Sequence, residues 1–270
     1  MTPPSPLPPL RDRAWPVRRS SPGLAVDLGS ARTRVWQPGR GLIVDTPTVT
    51  SPGPYGTHPV QRGSVVDVEG VARLLDRLSV HHPHHLGRRP VVVLATPVLC
   101  DDDHRAAALA ALEGLRPRTV LTIDSVRAVA LGASADLTEP LLVVDVGAHL
   151  TEIALLVDGA VATAHRTPLG TADLGAITTA AALAGSVVET VTDMLRGDPT
   201  PWTLDALGRG VLLSGGGALR PEIVYLLARR LRVPVRPAPA PHTAAVRGAA
   251  AALGAVCRHP ALVPCHDAPR

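Results

Sequence analysis

No lysine, asparagine or phenylalanine occurs in the 270 residues, and three tryptophans and two tyrosines are the only aromatic rings apart from histidine. Val, Leu and Ala must therefore fill any core the chain builds. The missing residue types fit a GC-rich coding bias and carry no functional meaning. With no lysine, all 27 basic side chains are arginines, and they are scattered. A net charge of +4 with so few rings to stack on bases does not make a nucleic-acid surface. Cysteine is also scarce: Cys100, Cys257 and Cys265 are odd in number and form no C-x-x-C pair, which argues against a disulfide framework or a thiolate zinc site. No apolar run approaches the ~20 residues of a membrane span, and no apolar signal core leads the chain, so a cytoplasmic location is expected.

What is present is a repeat. Leu24, Ala25 and Val26 run into Asp27, followed by Leu28, Gly29, Ser30, Ala31 and Arg32, and the chain resumes as Thr33, Arg34, Val35 and Trp36. This reads as strand, tight turn, strand. The same pattern returns at Leu142 to Ile153: Asp27 recurs as Asp145, Gly29 as Gly147, Thr33 as Thr151, Val35 as Ile153 and the hairpin glycine Gly41 as Gly159. Five coincident positions imply an internal duplication and two similar domains facing each other. In such a turn a glycine permits close approach of backbone N–H groups to an anion, and the neighbouring aspartate can hold a hydrated Mg²⁺.

Residues 1–22 are rich in proline and arginine and are expected to be a disordered arm, with Leu10, Trp15 and Val17 able to make a weak membrane-surface contact. Residues 51–56 read as a loop, and Val65 to Leu78 as a helix from its apolar spacing. The His81, His82, His84 and His85 tract around Pro83 reads as an exposed loop rather than a metal site. Pro90 to Pro97 reads as a central buried strand, and Asp101, Asp102 and Asp103 as the capped start of a helix through Leu115. Strand Thr119 to Thr122 and helix Ser125 to Ala133 follow. The second half repeats the order: strands Leu141 to Val146, Thr151 to Val157 and Val161 to His165, a largely helical stretch from Asp173 to Leu195, and a buried strand Gly210 to Leu213. Next come a glycine turn over Ser214, Gly215, Gly216, Gly217, Ala218 and Leu219, helix Pro221 to Leu231, a short strand Val233 to Val235 and helix Thr243 to Val256. The expected domains are residues 23–138 and 139–256, with residues 257–270 as a tail.

These residues resemble the actin, Hsp70 and sugar-kinase superfamily, and within it the bacterial actin MreB and its Mbl relatives. Asp27 to Thr33 resembles the family's D-L-G-T-A-N-T, Gly63 to Asp67 its D-G-V-I-A-D, and Leu213 to Arg220 its L-T-G-G-G-A-L-L, the most specific of the three. The resemblance implies an α/β fold of duplicated actin-like (ribonuclease H-like) domains around an inter-domain cleft. It implies ATP with Mg²⁺ in that cleft, against Asp27, Gly29, Ser30, Ala31, Arg32 and Thr33 of the first hairpin. Asp145, Gly147, Ala148, His149 and Leu150 of the second hairpin and Gly215, Gly216, Gly217, Ala218 and Leu219 of the glycine turn would complete the site. Asp27 and Asp145 would hold Mg²⁺ through water. Polymerisation with itself or with a full-length MreB/Mbl-type filament, and work with the wall-synthesis machinery in cell shape, are implied in the same way.

The departures from the family shape the expectation. Its G-G-G-T stands here as Gly147, Ala148, His149 and Leu150, adding bulk where phosphate would sit, and His149 could either donate to phosphate or block it. The family's E-E-P, whose second glutamate positions the attacking water, aligns with Asp124, Ser125 and Val126. A serine cannot polarise water as a carboxylate does, so no catalytic residue is assigned and hydrolysis should be very slow or absent. The stretches from Thr48 to Gly63 and from Gly170 to Gly210 are short, so the outer subdomains are expected to be reduced. A phosphotransferase of the sugar-kinase type would need a catalytic carboxylate near Asp27 and a substrate-binding insertion, and the sequence shows neither. An adaptor on the same fold, hooked to other machinery by the arm or the tail, is the remaining alternative.

Overall fold

Gly23–Leu28 (β1), Arg32–Gln37 (β2) and Gly41–Pro47 (β3) form an antiparallel meander, because two tight glycine-bearing turns return the chain and every second side chain of β2 is buried. A computed structural model describes residues 23–50, 56–80 and 89–258. After the meander come a two-stranded hairpin, Val60–Gln61 (β4) and Ser64–Val65 (β5), and helix Val68–Val80 (α1). Val91–Thr96 (β6) is buried along its whole length, as its unbroken apolar run predicts, and pairs parallel to β1. Helix Asp102–Ala111 (α2) is capped by Asp101, whose carboxylate accepts from the His104 N–H at 2.8 Å. Thr119–Asp124 (β7) and Ser125–Gly132 (α3) complete the first half.

The second half repeats this plan with Leu141–Val146 (β8), Thr151–Val157 (β9), Ala160–Thr167 (β10), helices Ala180–Gly197 (α4) and Trp202–Arg209 (α5), Val211–Ser214 (β11), Pro221–Leu231 (α6), Val235–Pro237 (β12) and Ala244–Arg258 (α7). The duplication is visible in the connectivity, since the sheets run β3-β2-β1-β6-β7 and β10-β9-β8-β11-β12. In each, an antiparallel meander is extended by two parallel strands.

Three expectations need correction. Residues 173–179 are not helical, because the buried Asp173 folds them into turns: its carboxylate accepts from the Gly170 N–H at 2.8 Å and its carbonyl from Ile177 and Thr178. The α4 helix starts only after Thr179, whose hydroxyl caps Ala182. Helix α5 was not expected because Pro199 and Pro201 interrupt the chain just before it, and Asp198 anchors its start by accepting from the backbone and hydroxyl of both Thr200 and Thr203. Helix α7 runs on through Cys257 and Arg258, two residues into the expected tail. The arm 1–22, most of the 51–56 loop, the histidine tract and residues 259–270 lie outside the described residues. Among the described residues no helix is long and apolar enough to cross a membrane.

Four apolar clusters show how the halves are joined. One face of the first sheet packs Val26, Val92 and Leu94 under α1 and α2, and one face of the second packs Val144, Ile153 and Leu155 under α4 and α6. The inner faces exchange helices. Helix α7, from the end of the second half, lays Val246, Ala249 and Leu253 on Ala25, Val91 and Val93 of the first sheet. Helix α3, from the end of the first half, lays Val126, Val129 and Ala130 on Leu141, Val143, Ala154 and Leu156 of the second. The two helices cross at backbone contact. A Cβ on Gly248 would lie 1.6 Å from Ala128 O, and one on Gly132 would lie 2.0 Å from Ala244 O.

That crossing predicts opposite outcomes for two chemically identical changes. Gly248→Ala should lower stability by about 1–3 kcal/mol through forced separation of α3 from α7. Gly208→Ala, where a Cβ meets nothing within 4 Å, should raise it by up to about 1 kcal/mol through helix propensity. Urea melts of both variants against the parent chain give the signs; equal effects would refute the crossing as the tight point.

Candidate functional site

The hairpin turns after β1 and β8 have the same geometry: Gly29 N–H donates to Arg32 O at 3.1 Å, and Gly147 N–H to Leu150 O at 2.8 Å. Each turn spends its glycine N–H on closure. Among the described residues, no protein acceptor takes the N–H of Ser30, Ala31, Ala148 or His149, so four backbone donors remain for a ligand. A third loop, over Ser214 to Leu219, enters the same space. It turns at Gly215, where φ is +79° and a Cβ would meet Val146 O at 2.3 Å and Asp145 Oδ1 at 2.6 Å, so a side chain is excluded there. Together these loops line a cleft of about 360 Å³, within the ~300–1,000 Å³ range of small-molecule sites.

Of the residues expected from sequence, Asp27, Gly29, Ser30, Ala31, Arg32, Asp145, Gly147, Ala148, His149, Leu150, Gly215, Gly216 and Leu219 line this cleft. Thr33, Gly217 and Ala218 do not. Thr33 is fully buried against Thr48, hydroxyl to hydroxyl at 2.9 Å, and Thr48 in turn donates to Gly29 O at 2.7 Å, so the pair props the first turn from behind. Gly217 and Ala218 are buried, the first against Val146 and the second in the core of the second half.

Sequence reasoning missed Arg34, Asp45, Glu152, Thr171, Ser214 and His242, which also face the cleft. The register explains the first three. Asp27 pairs across the strands with Arg34, and Arg34 with Asp45, making a row Asp27, Arg34, Asp45 over β1, β2 and β3. In the second half Asp145 pairs with Glu152. Arg34 and Glu152 thus hold equivalent places in the two copies, which only the strand pairing reveals. Asp45 and Glu152 add two carboxylates to the cleft lining. Neither is a free base: Asp45 pairs with Arg32 at 2.5 Å and Arg34 at 3.3 Å, and Glu152 accepts from both the Val98 N–H and the Ser125 hydroxyl.

The acids crowd one another. Burial pushes Asp27 above the ordinary carboxylate range, with Arg34 pulling the other way. Burial and then the charge of Asp27 push Asp145 up to about 7, partly offset by Ser214 and Arg34. Burial and then the charge of Asp145 push Glu152 up to about 8, against the hydrogen bonds from Ser125 and Val98. Asp145 Oδ1 is buried with no hydrogen-bond partner, an oxygen suited to a cation or a donor. Asp27 differs, because its Oδ2 faces Arg34 Nη1 at 3.5 Å with both side chains largely enclosed. The two aspartates therefore stand in different surroundings, Asp27 beside a guanidinium and Asp145 with an oxygen left unpartnered.

The halves also touch directly. Glu152 of the second half is held by Val98 and Ser125 of the first. At the mouth, the β4–β5 hairpin reaches over: Arg62 donates to Pro168 O and pairs with the buried Asp173 at 3.5 Å, Gly63 sits against Leu150, and the His58 and His149 rings meet edge to face at 6.5 Å.

Two α/β halves of one strand order, crossed by exchanged helices and facing each other over a cleft walled by paired hairpin turns, define an actin-type fold. The chain belongs to the MreB/Mbl family, whose model, described as MreB/Mbl protein, matches residues 56–177 and 176–259. Cell shape-determining protein MreB of Escherichia coli strain K12 and that of Salmonella typhimurium are each 24% identical over 164 residues, taking in 49% of this chain and 47% of theirs. The match thus spans about half the length of those relatives. Among solved structures, MreB5 of Spiroplasma citri bound to ADP superposes with a TM-score of 0.78 at 15% identity, covering 88% of this chain and 98% of that one. The MamK double helical filament gives 0.71 at 17% identity over 89% and 100% of the two chains. These identities speak for the fold.

The crowded acids predict a pH dependence. Between the ordinary carboxylate range and about pH 8 the folded chain holds protons that the unfolded chain has released. The contribution of Asp145 and Glu152 is therefore full at low pH and is lost as pH rises through about 7 and about 8. Glu152→Gln should lose less stability than the parent between about pH 6 and pH 9 in metal-free urea melts. Parallel profiles would refute the assignment.

Proposed function

We propose that this chain is a reduced MreB-type actin that holds a nucleotide between its two halves, turns it over very slowly if at all, and acts in cell shape and wall morphogenesis. The division into residues 23–138 and 139–256 belongs to this proposal, supported by the repeated strand order. One observation carries the nucleotide reading: the facing hairpin turns leave the N–H groups of Ser30, Ala31, Ala148 and His149 unclaimed on opposite walls of one cleft, as a polyphosphate would require. Related folds were solved with ADP and with AMPPNP, both in MreB5 of Spiroplasma citri. The Ser214 to Leu219 loop then supplies the flat side for the base.

Slow turnover follows from the side chains near the phosphates. Ser125 donates to Glu152 and so has its hydroxyl committed, while Glu152 is pinned by two donors and carries a proton near neutral pH. Neither can draw a proton from water efficiently. Magnesium, expected between Asp27 and Asp145, meets an Asp27 already facing a guanidinium, and no step is assigned to it.

Assembly with itself or with a longer MreB-type filament is supported by the MamK double helical filament, which shares the fold. Partnership with wall-synthesis machinery rests on the family alone, while a cytoplasmic setting and membrane-surface contact through residues 1–22 rest on the sequence composition.

Gly216 gives a clean test of the cleft, since a Cβ there meets only Thr171 Oγ1, at 3.6 Å, and a side chain can be added without moving the backbone. Calorimetric titration with ADP and ATP should show saturable binding that Gly216→Trp weakens at least about tenfold, or about 1.4 kcal/mol, with unchanged circular dichroism. Absence of saturable binding in the parent chain would sink the nucleotide reading. Phosphate release at ordinary ATPase rates, about 1 per second or faster, would overturn the account of Ser125 and Glu152. Sedimentation with and without nucleotide tests assembly.

A further inference from the structure

We propose that Arg34 is the resident cation of the cleft, standing where a divalent metal would otherwise neutralise Asp27 and receiving the nucleotide phosphates itself, so that binding is independent of metal. The inference rests on the nucleotide reading and deepens it. It starts from the cross-strand row: Arg34 lies between Asp27 on β1 and Asp45 on β3, its Nη1 is 3.5 Å from Asp27 Oδ2, and its Nε is 3.3 Å from Asp45 Oδ1. The guanidinium is nearly enclosed, with 12% of the side chain exposed, and it lines the cleft.

Its donors are not used up. Despite the short approach to Asp45, the Nε has no hydrogen-bond partner, so a buried donor at the cleft wall is left unfilled. Asp45 is meanwhile held by Arg32, through Nε at 2.5 Å and through the bond from Arg32 Nη2 to Asp45 O at 2.7 Å. Arg34 thereby keeps donor capacity for an incoming anion, which a guanidinium binds through two parallel N–H donors. The same row works against a metal. A divalent ion between Asp27 and Asp145 would sit against a fixed positive charge, and it would have to compete with that charge for Asp27. The pseudo-symmetry makes the point by contrast, because the place of Arg34 is taken by Glu152 in the second half, so each aspartate has a different cross-strand neighbour. The Arg32 to Arg34 segment also lies outside the residues matched by the family model, which begin at residue 56.

The test uses the full chain in two arms. In the first, ADP is titrated in EDTA and in excess Mg²⁺. The parent should bind within about twofold in both buffers, Arg34→Met should lose at least about tenfold in EDTA and regain most of it with Mg²⁺, and Arg34→Lys should stay metal-independent. Loss of parent binding in EDTA, or an Arg34→Met chain that binds as the parent does in EDTA, overturns the proposal. In the second arm, Mn²⁺ alone is titrated by electron paramagnetic resonance. The parent should show no saturable site, and Arg34→Met should gain one that a further Asp145→Asn removes. A parent site abolished by Asp145→Asn would overturn the proposal. Should ADP bind in neither buffer, the nucleotide reading fails while the Mn²⁺ arm still judges Arg34. Arg34→Gln replaces the methionine variant if that chain does not fold.

Discussion

Backbone-to-backbone contact between α3 and α7 is the constraint on which the molecule depends. Each helix ends one half and packs on the sheet of the other, so the halves cannot be built separately and then docked. The crossing is possible only because Gly132 and Gly248 present no side chains to it. By drawing the helices together, it fixes the distance between the C-terminal ends of β1 and β8, and with it the width of the cleft that Asp27 and Asp145 overlook. The spacing of the candidate ligand groups is therefore set some way from the ligand, by two residues that never touch it.

Inside the cleft the governing fact is an excess of acid. Asp27, Asp45, Asp145 and Glu152 share a small space with Arg32 and Arg34. The chain meets the resulting repulsion in two ways. On the first wall it interleaves arginines with aspartates along neighbouring strands. On the second it keeps acids adjacent and lets them hold protons, with Ser125 and the Val98 amide sharing the load. Two copies of one motif have thus come to opposite electrostatic solutions within the same backbone geometry.

Much of this was legible in the sequence, for a physical reason. The repeat of Asp27 and Gly29 as Asp145 and Gly147 encodes a backbone turn, and turns depend on local residue types, so both hairpins could be read directly. Strand β6 was equally plain, since burial on both faces leaves an unbroken apolar run. What stayed hidden depends on register or on distant partners. Thr33 looked like a loop ligand but serves Thr48, fifteen positions away in sequence. Arg34 and Glu152 looked like ordinary strand residues until pairing set them beside the two aspartates. The exchange of α3 and α7 could not be read at all, because an alanine-rich helix with glycines has the same periodicity whichever sheet it covers.

The hairpin β4–β5 bears on timing. Its Arg62 holds Pro168 O and Asp173 at the rim, while Glu152 ties the halves at the floor. Separating the halves at the mouth requires these rim contacts to part, and because the floor is tied as well, that motion strains the whole hinge instead of lifting a single flap. The hairpin thus slows relative motion of the two halves and makes their opening one concerted step.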